Sequence, residues 1–85
     1  MYVVDADDVA HDVDRLPPRA ARAFAEFRAA VELSPWTVAP SINPDNPYAP
    51  VRLHLLQSDD GSALISYLVR DLERIVDVLR LQWLG

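Results

Sequence analysis

The stretch "ALISYLVRDLERIVDVLRLQWLG" occupies residues 63–85. Two apolar runs flank the polar clasp Arg70-Asp71-Leu72-Glu73-Arg74. A turn as short as "DLE" between two such runs predicts a β-hairpin that closes a small sheet. Upstream, "VRLHLLQ" (51–57) reads as a further strand, joined to the hairpin through the tight turn "SDDG" (58–61). The C-terminal part of the chain is therefore expected to be a three-stranded antiparallel meander.

Working outward from the meander, the text changes at residues 34–50, "SPWTVAPSINPDNPYAP", which hold five of the seven prolines. Proline removes a backbone donor and fixes φ, so this is an extended crossing or loop. Trp36 and Tyr48 are expected to pin it to the body, each through an apolar ring with one polar handle. Before it, "PRAARAFAEFRAAVEL" (18–33) is alanine-rich and helix-favouring. Its apolar stripe is Ala20, Phe24, Phe27 and Val31, with Arg22 and Glu26 four apart on the outer side. "ADDVAHDVDRL" (6–16) carries Val9, Val13 and Leu16 on one side of another helix, with Asp5 or Asp7 placed to cap its first turn. Pro17 and Pro18 end one helix and open the next. "MYVVD" starts the chain as an edge strand. The order strand, helical hairpin and three-stranded meander predicts one α+β domain over residues 1–85, with both helices packed on one face of the sheet.

Composition bounds what such a domain can do. A chain of 85 residues buries roughly 60–65% of its unfolded surface, so its core is thin. There is no cysteine to staple it, and no apolar run approaches a membrane span. The acidic opening does not resemble a signal peptide, so a cytoplasmic protein with no membrane association is expected. Thirteen acidic residues against eight arginines give a net charge of −5, which disfavours a general nucleic-acid binder. No nucleophile–base pair, glycine-rich phosphate loop or zinc spacing occurs, and neither metal nor cofactor is expected. His11 beside Asp8 and Asp12 reads as a solvated helical face rather than a metal site. The acidic run through Asp14 reads most simply as helix N-terminal charge, with docking of a basic partner as the sharper alternative.

Strand side chains alternate, so each run divides by parity. One set, assigned to the helix-covered core, is Val51, Leu53 and Leu55 with Ile65, Tyr67, Val69, Leu79, Leu81 and Trp83. The other set forms an open face: Arg52, His54, Arg70, Arg80 and Gln82 among Leu56, Leu64, Leu68, Val76 and Val78. Asp77 falls outside this scheme and is expected at an edge or paired with an arginine. So many aliphatic side chains on an open face mark either a protein partner's site or a surface the chain covers itself.

The order of elements resembles the RelE/ParE superfamily of type II toxins. The resemblance rests on "DVDRLPPRAARAFAEF" and on "LISYLVRDLERIVDVLRLQWLG", the latter with an internal tyrosine, Tyr67, an acidic-basic turn and an aliphatic strand containing "VLR". It implies a toxin-type protein of a toxin–antitoxin system. Where such proteins are enzymes, they are metal-independent, ribosome-dependent endoribonucleases that inhibit translation by cutting mRNA. The implied catalytic residues are Arg52, holding a phosphate, and His54, acting as acid or base, assisted by Arg80. Leu64 and Leu84 stand where the family carries cationic residues, and the family's C-terminal extension has no counterpart up to Gly85. These departures favour binding over cleavage. The alternatives are a catalytically silent interaction module and a ParE-like inhibitor of a protein target such as a topoisomerase. The module would dock an antitoxin-like helix or a second copy on Leu64, Leu68, Val76 and Val78.

Overall fold

The computed structural model describes residues 1–85. Its elements follow the expected order: β1 (Val3–Asp5), α1 (Ala10–Asp14), α2 (Pro18–Leu33), α3 (Pro35–Val38), β2 (Val51–Ser58), β3 (Gly61–Arg70) and β4 (Ile75–Trp83). The strands form one open sheet in the order β1-β4-β3-β2. β1 runs parallel to β4, and the other two pairings are antiparallel. The fold is α+β with a mixed sheet.

The long helix α2 obeys its sequence period. Pro18 fits its first turn, where the missing N–H costs nothing, and Ala20, Phe24, Phe27 and Val31 are its buried residues. Phe27 packs edge-on against Tyr67 of β3, with ring centroids 5.7 Å apart. On the outer side the observed i,i+4 pair is Arg28–Glu32 at 3.8 Å, while Arg22 and Glu26 form no ion pair. Arg28 also donates to the Val4 carbonyl at 3.0 Å and so ties α2 to β1.

The first helix is shorter than its apolar spacing predicts. A 3₁₀ turn at Asp7–Val9 precedes the five residues of α1. Asp5 accepts the Asp7 N–H at 3.0 Å, so the aspartates shape an Asx turn rather than a regular cap. Val9 is fully buried all the same.

The Pro-rich crossing contains the single turn α3 and an isolated bridge between Ser41 and Arg52. Trp36 packs against the core, as expected of an anchor. Tyr48 does not, being 81% exposed. The loop is held from beneath by Arg52 instead.

The two faces of the sheet depart most from the parity assignment. On β3 the assignment stands, with Ala63, Ile65, Tyr67 and Val69 buried. On β2 it is reversed: Arg52 and Leu56 are buried and His54 is half-buried, whereas Leu53 and Leu55 are exposed. On β4 it changes partway along the strand. Ser66 pairs with Arg80 but Tyr67 pairs with Val78, which leaves Leu79 as the extra residue of a β-bulge. Val76 and Val78 therefore lie in the core before the bulge, and Leu81 lies in the core after it. Leu79 itself is 44% exposed. One inserted residue shifts the two-residue alternation by a full face, so no single parity describes this strand.

A candidate partner-binding face of the sheet

Arg52 lies directly across from Tyr67, on the helix-covered side of the sheet. Only 5% of it is exposed. Its Nε donates to the Ala39 carbonyl at 2.7 Å, and one terminal nitrogen donates to the carbonyls of Pro47 and Ala49 at 3.0 and 3.2 Å. The guanidinium also sits over the Trp36 ring, 5.4 Å from its centroid. A proline-rich loop has few N–H groups but keeps every carbonyl, and the planar fork of an arginine supplies the missing donors. Beside it the Tyr67 hydroxyl donates to the Pro35 carbonyl at 2.7 Å. Burial pushes the Tyr67 hydroxyl above its ordinary pKa, and the nearby Arg52 opposes the shift.

His54 stacks on Phe27, with ring centroids 5.0 Å apart and planes 21° from parallel. Burial lowers its pKa, so the neutral imidazole is favoured. Arg80 lies on the other side of the sheet. The structure thus does not bring Arg52, His54 and Arg80 together: two are integrated into the helix-covered side and the third faces outward. The four aliphatic residues expected to bind a partner divide likewise. Leu64 and Leu68 lie on the open face, while Val76 and Val78 are fully buried under the helices.

The open face is built by register. Val51, Leu68, Asp77 and Asp5 form one cross-strand row; Leu53, Ser66 and Arg80 form the next; Leu55, Leu64 and Gln82 form a third. Leu53 and Leu55 are 38% and 46% exposed, and Ile42 of the crossing lies beside them more exposed still. Ile42, Leu53, Leu64, Ser66, Arg80 and Gln82 line a shallow hollow of about 230 Å³. Arg70 and Asp77 pair on this face at 3.5 Å, which accounts for the aspartate that did not fit the core. Arg80 has no ion-pair partner. Leu53 and Leu55 are contributors that the parity assignment turned inward, because the burial of Arg52 that turns them outward leaves no local signal, and Ile42 lies in the crossing, outside that assignment.

The polar clasp of the closing hairpin also has a structural role. Asp71 Oδ1 accepts hydrogen bonds from the Tyr2 hydroxyl and, at 3.2 Å, from the Trp36 indole N–H. Arg74 donates to the Tyr2 hydroxyl at 2.9 Å and lies over its ring. The hydrogen bonds from Tyr2 and Trp36, with Arg74 nearby, hold the Asp71 carboxyl below its ordinary range. The clasp joins the N-terminal strand, α3 and the hairpin. Arg74 adopts the left-handed backbone region, with φ of 57°, to turn the chain into β4.

No group of three or more His, Asp or Glu side chains is placed to hold a metal ion, and no helix is long and apolar enough to cross a membrane. No family model, curated protein or solved structure matches the chain.

Proposed function

We propose that this chain is a protein-interaction domain of RelE/ParE-like architecture, acting in a toxin–antitoxin pair, and that it docks an amphipathic helix on the open face of its sheet. The observation that carries this reading is the hollow around Arg80. It is a cation without an ionic partner, bordered by Leu53, Leu64 and Ile42 on a face that no helix of this chain covers. Contiguous half-exposed aliphatic side chains are characteristic of protein-binding surfaces. An antitoxin-like helix with leucines spaced three and four apart, and one carboxylate within that stripe, would match it. Binding is favoured over ribosome-dependent mRNA cleavage because Arg52 and His54 face away from Arg80. The element order, a strand followed by helices and a three-stranded meander, supports the RelE/ParE-like reading.

The test is copurification with the product of the adjacent reading frame, followed by sizing and titration of the complex. Leu53→Glu and Arg80→Glu are each expected to weaken binding at least about tenfold, as loss of a central apolar or charged anchor does. Unchanged affinity in both variants would reject this face as the docking surface. Codon-phased mRNA cleavage in a cell-free translation reaction, lost on Arg80→Ala, would replace binding by catalysis.

A further inference from the structure

β2 is an edge strand, and its outer edge is only half covered. Ile42 N–H donates to the Val51 carbonyl at 3.1 Å, and Leu53 N–H donates to the Pro40 carbonyl at 3.3 Å. The odd-numbered residues of β2 thus direct their backbone groups outward, while the even-numbered ones pair with β3. By the same alternation the N–H and C=O groups of Leu55 and Gln57 point to the outer edge, beyond the reach of residues 40–42. An open row of this kind is a template for another strand.

A groove follows this free edge on the helix side, between α2 and β2. It consists of two adjoining hollows, of about 380 and 440 Å³, that share Ala23, Glu26 and Gln57. The first is apolar, floored by Phe27, Val38 and His54 with the small side chain of Ala30 above. The second is polar and contains Arg19 and Arg22. Arg19 is engaged by Asp59 at 3.3 Å, and its backbone N–H donates to Asp60 at 2.9 Å. Arg22 has no ion-pair partner. The groove therefore has an apolar end, a free cation at the other end, and Glu26 between them to repel a carboxylate placed at the apolar end.

We propose that this groove binds a short extended peptide that adds as a strand to the β2 edge at Leu55 and Gln57. An acidic side chain of the peptide meets Arg22, and an aliphatic side chain two or four residues further on fills the hollow over Phe27 and His54. The strand runs antiparallel to β2, as residues 40–42 already do on the same edge. Its acidic residue precedes the aliphatic one, because Gln57 lies toward Arg22 and His54 toward the apolar end. Main-chain pairing supplies affinity, and the alternate side chains that enter the groove supply selectivity. A second copy of this chain does not fit as well. Its β2 could pair edge to edge, but of the side chains it would lend to the groove, Arg52 and Leu56 are buried within its own fold and His54 is half-buried against Phe27. The proposal concerns the helix side of β2 and does not rest on the open-face reading.

The probe is acetyl-Thr-Glu-Thr-Val-Thr-Val-Thr-amide, titrated into the isotopically labelled full chain and followed by amide NMR. Saturable shifts are expected at Leu55 and Gln57 and along the groove-facing side of α2, with slowed amide exchange at those two residues. Replacing the peptide glutamate by lysine, or introducing Arg22→Glu in the protein, is expected to raise Kd at least about tenfold. Arg22 is exposed and unpaired, so that variant is expected to keep the spectrum of the folded protein. A peptide N-methylated at its edge-facing amides, which cannot donate to β2, is expected not to bind. Absence of saturable shifts at millimolar peptide, equal binding by the N-methylated peptide, or shifts confined to the open face would each overturn the proposal. Concentration-dependent shifts at Leu55 and Gln57 without peptide would overturn it in favour of a second copy.

Discussion

Removing the buried guanidinium of Arg52 should reveal that this residue holds the fold together. In Arg52→Ala the carbonyls of Ala39, Pro47 and Ala49 lose their donors, and Trp36 loses the cation over its ring. Hydrogen bonds to a charged donor contribute about 1.5–3 kcal/mol each, while a carbonyl that swings out to water recovers part of the loss. Burying the guanidinium also carries a desolvation cost, which the substitution relieves. The net destabilisation is therefore about 3–5 kcal/mol. A domain of this size is stable by roughly 4–13 kcal/mol in total, so the substitution removes between about a quarter and the whole of that stability. Arg52→Lys should lose at least half as much, because a compact ammonium cannot reach three carbonyls spread from Ala39 to Ala49. Urea denaturation followed by tryptophan fluorescence measures the difference, with Trp36 reporting directly on the loop. A loss below about 1 kcal/mol for Arg52→Ala would refute the clamp, because it is what an exposed strand arginine would give.

Two further outcomes follow from the same geometry. Burial lowers the pKa of His54, so the unfolded chain binds more protons than the folded one between the lowered value and the ordinary 6.5. This contribution is present in full above 6.5 and is lost as pH falls toward the folded-state value. The urea midpoint should accordingly drop through this window in the native protein, and drop less in His54→Phe; equal slopes would contradict the assignment. For the sheet faces, Val78→Asp places a carboxylate at a site 1% exposed and should abolish folding, whereas Leu64→Glu on the open face should preserve the far-ultraviolet circular dichroism spectrum. The reverse ranking would show that the two faces had been exchanged.

Helix α2 was legible from sequence down to its four buried residues, because a helix reports its inner face through a local 3.6-residue period that nothing distant alters. The order of elements, the closing hairpin and the α+β class were legible for a related reason: each depends on short-range turn chemistry and apolar spacing. The alternative faces of β2 and β4 were not. In "VRLHLLQ" the odd set holds three aliphatics and the even set an arginine, a histidine and a leucine, so local apolarity favours burying the odd set. The structure buries the even set because the carbonyls that satisfy Arg52 come from the loop preceding β2, and the ring that His54 covers comes from α2. A polar side chain can occupy a core position where distant groups meet its hydrogen-bonding needs, and those groups meet only once the chain has folded. The bulge at Leu79 has the same character. It arises where β3 and β4 come into register, and it decides that Val76 and Val78 belong to the core while Arg80 faces outward among the leucines of β2 and β3. Periodicity and turn residues thus determine which elements form, and long-range pairing determines which side of each strand is available to a partner.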